Sequence, residues 1–126
     1  MKIGLGLPNA DKSLTTGRLL VDIARRAEAL GFSTLATIGR VAYPNYEELV
    51  TLAAAAGATE RIGLCTDILL AATREPVLLA EQAASLDQIS GGRSCLALES
   101  APAPMTSQSR ALTSIREGDG WMLHSI

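Results

Sequence analysis

The sequence predicts an α/β fold in which parallel strands alternate with helices, and three observations point that way. Short apolar stretches alternate with amphipathic segments of three-to-four-residue period along residues 2–93. The apolar stretches lack the in-and-out alternation of a sheet with one wet face, so they suit strands covered on both sides. Glycines stand where the periodic segments stop, at Gly31, Gly57 and Gly91-Gly92, as helix C-termini require. Right-handed crossovers through the helices then make the strands parallel.

Taken in order, Lys2 to Leu7 is the first strand, and it stops at Pro8-Asn9, where a fixed φ and a missing N–H suit a turn. From Gly17 to Leu30 the residues Leu20, Ile23, Ala27 and Leu30 recur at steps of three and four. Arg18, Asp22, Arg25, Arg26 and Glu28 fall mostly elsewhere, so the segment is an amphipathic helix. Gly31 closes it, with Phe32 folding back onto Ala27. Thr34 to Ile38 is the second strand. Asn45-Tyr46-Glu47-Glu48 reads as a capping box, with Asn45 as N-cap and Glu48 reaching back to it. That helix runs through Leu49, Val50, Leu52 and the tract Ala53 to Ala56, and ends near Gly57. Arg61 to Leu70 is the third strand, apolar except for Thr66-Asp67. Glu75-Pro76 opens the next helix with proline at N1, and Leu79, Gln82, Ala83, Leu86 and Ile89 form its inner stripe. Beyond Arg93 serine, threonine and proline take over, and Cys95 to Leu98 is the one candidate fourth strand. Residues 1–93 are therefore expected to form the folded part. Residues 94–126 form a divergent tail, poorly ordered from Ala101, with at best one weak helix around Ala111 to Arg116.

Composition narrows the function. With 126 residues, 48% apolar and 19% charged, the chain suits one small domain. Eleven basic against 13 acidic residues give a net charge of −2, without the basic excess of a nucleic-acid or anionic-membrane binder. No apolar run approaches the roughly 20 residues of a bilayer span. Met1-Lys2 leads directly into a strand, not into a secretory h-region, so a cytoplasmic location is expected. Cys65 and Cys95 lie far apart in sequence, with no other Cys or His at metal-ligand spacing. They are expected to be small buried hydrophobes, with no metal site and no disulfide.

Chemistry in parallel α/β folds gathers at the C-terminal ends of strands. The candidates there are Gly6, Leu7, Pro8 and Asn9 after the first strand, Ile38, Gly39 and Arg40 after the second, and Thr66 and Asp67 in the third. Arg40 suits a phosphate or a flavin carbonyl, although an exposed ion-pair partner is the more ordinary role. Thr66 and Asp67 interrupt an apolar strand, which costs free energy unless they are hydrogen-bonded or face a cavity. A site-facing role is the reading adopted. His124 has no carboxylate or serine placed to work with it, so no catalytic residue is assigned. Gly4-x-Gly6 lacks the third glycine of a dinucleotide fingerprint and leads into Pro8, which argues against a flavodoxin- or Rossmann-type nucleotide domain.

Several runs resemble the N-terminal part of the bacterial luciferase-like monooxygenase family. They are Lys2 to Pro8, Ala24 to Phe32, Ala42 to Glu47, Ala58 to Leu64 and, most specifically, Pro76 to Arg93 with its Ser85-Leu86-Asp87-Gln88-Ile89-Ser90-Gly91-Gly92-Arg93 ending. The resemblance implies the N-terminal half of a (β/α)8 TIM barrel, which normally needs about 250 residues. It further implies an oxidoreductase that uses reduced flavin (FMN) or deazaflavin (coenzyme F-420) for hydride transfer or oxygen insertion on a small-molecule substrate. Gly6, Leu7, Ile38, Gly39, Arg40, Thr66 and Asp67 would then face the cofactor. Many members carry an acidic residue and His or Arg after the second strand; here Gly39-Arg40 stands instead.

In the family a glycine-rich run follows Gly-Gly-Arg, and Ser94 to Ala101 replaces it. Read one base out of frame, with third bases chosen G/C-rich, residues 94 onward can spell V-S-G-A-G-V-G-A, which resembles the missing run. The tail is therefore read as a frameshifted segment. The competing reading is a noncatalytic, truncated half-barrel that pairs with another chain or with itself as a homo-oligomer, since an unclosed sheet leaves an edge that invites pairing.

Overall fold

The computed structural model describes residues 1–13, 15–41 and 43–99, and the backbone of Ala111–Glu117 and Gly120–Leu123. Its elements are β1 (Gly4–Gly6), α1 (Gly17–Ala29), β2 (Thr34–Thr37), α2 (Glu48–Ala58) and β3 (Gly63–Leu70). A 3₁₀ turn (Ala71–Thr73), α3 (Pro76–Ser90), β4 (Ser94–Glu99), β5 (Ala111–Glu117) and β6 (Gly120–Leu123) follow. The sheet order is β1-β2-β3-β4-β5-β6. The first four strands are parallel, β5 runs antiparallel to β4, and β6 antiparallel to β5. The strand β5 occupies the stretch where a weak helix is expected from sequence. His124 and residues 101–110 lie outside the described residues.

One face of the sheet carries the core. Leu35, Leu64 and Leu98 pack there with Leu20, Ala24 and Ala27 of α1, Leu49, Leu52, Ala55 and Ala56 of α2, and Leu86 of α3. The small α2 side chains let that helix lie close on the sheet, as the alanine tract predicts. Three stripe residues depart from expectation: Leu30 is 77% exposed, Ile89 59% exposed, and Gln82 also faces solvent. Leu30 is the C-cap of α1, already turning off the helix face.

The start of α2 also differs. Its N-cap is Glu47, whose carboxylate accepts from the Val50 N–H at 2.6 Å. Asn45 instead donates to the Tyr46 carbonyl at 3.2 Å. Glu48 does not reach back, because its carboxylate is drawn to Arg74 at 2.7 Å.

At the N-terminal ends of the strands, two side chains stitch the loops together. Glu28 accepts from the backbone N–H groups of Glu60, Arg61 and Ile62 at 2.9, 2.6 and 2.9 Å. Desolvation works against its charge, but these three donors and the nearby Arg61 together outweigh it and hold its carboxyl below the ordinary value. Arg93 uses all five of its N–H donors. They bond the Ser90 carbonyl, the Thr59 hydroxyl and carbonyl, and the Ile62 and Ala56 carbonyls, at 2.6 to 3.1 Å. Gly91 and Gly92 bring Arg93 into place with φ of 65° and 80°, values that an L side chain resists.

Candidate functional site

The helix-free face of the sheet is floored by small side chains. Register pairs Gly6 with Ala36, Ala36 with Cys65, and Cys65 with Cys95, so these four residues form one row across β1 to β4. Their neighbours in sequence, such as Leu35 and Leu64, fall on the opposite, helix-covered face because strand side chains alternate. Open space lies where a Gly6 side chain would begin, with no atom within 4 Å. The expectation of two distant, buried cysteines is corrected by this register: Cys95 is exposed, Cys65 is partly so, and the two share a row.

Asn9 fixes the C-terminal edge of this floor. It is fully buried, and its carboxamide donates to the Ile38 and Tyr46 carbonyls at 2.9 and 3.1 Å while accepting from the Ile38 N–H at 3.1 Å. A side chain thus continues the β1–β2 ladder for one more step. Ile38 is thereby held at the edge, 37% exposed.

In β3 the register shifts between Thr66 and Leu69, so that Asp67 and Ile68 stand against the single residue Ala97. Such bulges re-aim side chains at the rims of barrels and beside active sites. The Asp67–Ile68 peptide bond within it is cis. The Thr66 hydroxyl satisfies both backbone groups of Ala97 that the bulge takes out of the ladder, donating to its carbonyl and accepting from its N–H, each at 2.9 Å. Thr66 is fully buried. Its placement among cofactor-facing residues is therefore corrected: the hydrogen bonds, not a cavity, compensate its burial. Leu7 is corrected likewise, because it lies in the core at 5% exposure. Asp67 is exposed within the bulge, and Arg40 is exposed with its guanidinium 5.3 Å from the centre of the Tyr43 ring.

Gly39 sits between two acceptors. A Cβ there would stand 2.7 Å from Glu48 Oε1 and 2.9 Å from the Ile68 carbonyl, and the Gly39 N–H donates to that carbonyl at 3.2 Å. Glu48 is held by Arg74, whose Nη2 also reaches Glu47 Oε1 at 2.6 Å. Burial opposes the charge on Arg74, but Glu47 and Glu48 more than offset it and raise its pKa. This cluster ties the start of α2 to the loop after β3, and its chemistry is positioning. Asn9 is among the candidates from sequence, whereas Glu48 and Arg74 are not. The adjacent acids Glu47-Glu48 are the one signal for it, since a buried carboxylate demands a cation.

The structure thus gathers Gly6, Ile38, Gly39 and Asp67 at one end of an open floor, leaves Arg40 outside with Tyr43, and turns Leu7 and Thr66 to the other face. Among the described residues no group of three or more His, Cys, Asp or Glu could hold a metal ion, and no helix is long and apolar enough to cross a membrane.

The family model described as luciferase-like monooxygenase matches residues 1–108. The fold is similar to that of monooxygenase RslO1 from Streptomyces bottropensis, with TM-score 0.71 and 30% identity over 83% of this chain and 35% of that one. It is also similar to the coenzyme F420 dependent tetrahydromethanopterin reductase of Methanopyrus kandleri, with TM-score 0.66 and 30% identity over 77% of this chain and 26% of that one. A third likeness, to the FMN-complexed oxygenating constituent of 3,6-diketocamphane monooxygenase from Pseudomonas putida, has TM-score 0.72 at 20% identity, over 83% of this chain and 31% of that one. The last shows the fold alone. The chain spans about a third of the length of these structures. No curated protein matches it.

Proposed function

Because the chain belongs to the luciferase-like monooxygenase family, we propose that it carries the ring-facing part of a site for reduced FMN or a deazaflavin of the coenzyme F-420 type, in an oxidoreductase acting on a small molecule. The observation that supports this most is the row of small residues from Gly6 to Cys95, open on the helix-free face and edged by Ile38. A planar tricyclic ring needs such a floor, and the open space at Gly6 is where a Cβ would obstruct it. When bound, the reduced ring supplies a hydride or, for flavin, activates oxygen.

The residues of this chain would bind and orient. Gly6 and Ala36 leave room for one face of the ring, Ile38 closes its edge, and Asn9 holds Ile38 from behind. Gly39 lets the Glu48 carboxylate approach the end of β2, and Asp67 adds an exposed carboxylate at the rim. Barrel enzymes commonly anchor phosphate after strands seven and eight, and the four parallel strands here correspond to the opening half of a barrel. The ring contacts alone would hold the cofactor weakly. A cytoplasmic setting accords with this chemistry.

The test is an anaerobic titration with reduced FMN and with reduced deazaflavin, followed by admission of oxygen or an acceptor. Binding that Gly6→Leu abolishes supports the reading, and binding indifferent to Gly6→Leu opposes it. The second reading, a noncatalytic half-barrel that pairs with another chain, is favoured by β1, whose outer edge has no partner strand among the described residues. A stable complex between copies, without cofactor affinity, would select it.

A further inference from the structure

Cys65 and Cys95 stand opposite one another in the parallel β3–β4 ladder, on the helix-free face, with Cys95 exposed and Cys65 partly so. We propose that this pair, which lies in the same row as the proposed ring floor, is also a two-thiolate site for a soft monovalent metal ion of the Cu(I) class. Three physical points carry it.

The first is spacing. Adjacent strands lie about 4.8 Å apart, and side chains of registered parallel partners leave the sheet in the same direction. Two metal–sulfur bonds of about 2.3 Å bridge sulfurs up to about 4.6 Å apart, so a small turn of the two side chains toward one another lets one ion sit between the strands. The two cysteines are not joined in a disulfide.

The second point is ligand type and number. Thiolates select soft ions, and zinc sites want four ligands. Among the described residues no third His, Cys, Asp or Glu completes a larger ligand group here. A two-coordinate monovalent ion is the class that two sulfurs satisfy.

The third is access and surroundings. The thiols lie within hydrogen-bonding reach of each other, and Cys65 Sγ donates to the Thr66 carbonyl at 3.3 Å. Their row neighbours Gly6 and Ala36 are too small to cover them. On binding, two S–H bonds break, two metal–sulfur bonds form and two protons leave to solvent. No oxidation state changes.

Silver(I), added as the nitrate in chloride-free buffer, is a redox-inert probe of this site. The expected result is one ion per chain, with affinity at least tenfold lower in Cys65→Ser and in Cys95→Ser and no lower still in the double variant. Circular dichroism checks that each variant folds. A measurement on the unaltered chain stands beside it: bound silver should protect both thiols from iodoacetamide, read by mass spectrometry. Protection of one thiol only, two ions bound independently, or undiminished affinity in either single variant would overturn the proposal. Cofactor binding to the same row is read separately, by the Gly6→Leu titration without silver.

Discussion

At Thr66 a polar residue that breaks an apolar strand turns out to be part of the strand's own construction. Its hydroxyl takes up the N–H and carbonyl of Ala97 beside the bulge. Thr66→Val should therefore destabilise the fold by about 1–3 kcal/mol, the cost of leaving buried backbone groups unsatisfied. Urea denaturation measures it, and a loss near zero would show that the bonds contribute nothing. Arg93 is a sharper case, because lysine keeps the charge but has three donors where the guanidinium has five. Arg93→Lys should cost about 2 kcal/mol or more, checked by the same denaturation. Cys65 gives a pH-dependent outcome. Burial first, then Cys95 and the charge of Asp67, push its thiol from 9.0 up to about 11. In the unfolded chain the thiol ionises near 9 while in the folded chain it stays protonated. Its contribution to stability is thus complete below pH 9 and is lost as pH rises toward 11. Cys65→Ala should flatten the melting-temperature profile in that interval. None of these roles is legible from residue type alone, because each depends on which strand lies alongside.

At the scale of elements, the sequence was informative where local chemistry decides. Periodicity, Pro76 at N1 and Gly91 at the stop define α3 as observed, Pro76–Ser90. The start of α2 differs from the capping box expected there because that motif is local, whereas the pull on Glu48 comes from Arg74, 26 residues on. Exposure at Ile89 was likewise invisible, since periodicity gives a helix its apolar stripe but not the neighbour that covers it. Leu86, by contrast, is 3% exposed and packs into the core. Leu86→Ala should cost about 2–5 kcal/mol, measured by chemical denaturation. A loss below 1 kcal/mol would mean that α3 is not docked on the sheet.

At the scale of the whole molecule, the parallel strands β1 to β4 and the helices α1 to α3 give the described residues a sheet region with one face built as core and the other left open. The alternation of elements made the fold class legible. The open floor was not, because small residues such as Gly6, Ala36 and Cys65 carry no pattern until register sets them in one row. Gly6, Asn9, Ile38 and Gly39 are legible from sequence as strand-end residues, whereas the partners of Asn9 and of Arg74 are distant in sequence. The floor, on this account, offers a reduced ring one face and little else. The measurement that tests it most directly compares this chain with a version continued from residue 94 in the shifted reading frame, in anaerobic binding of reduced FMN and deazaflavin and in turnover. The account predicts weak, Gly6-dependent binding without turnover by the 126-residue chain, and both tight binding and turnover by the continued version. Tight binding and normal turnover by the 126-residue chain alone would contradict it.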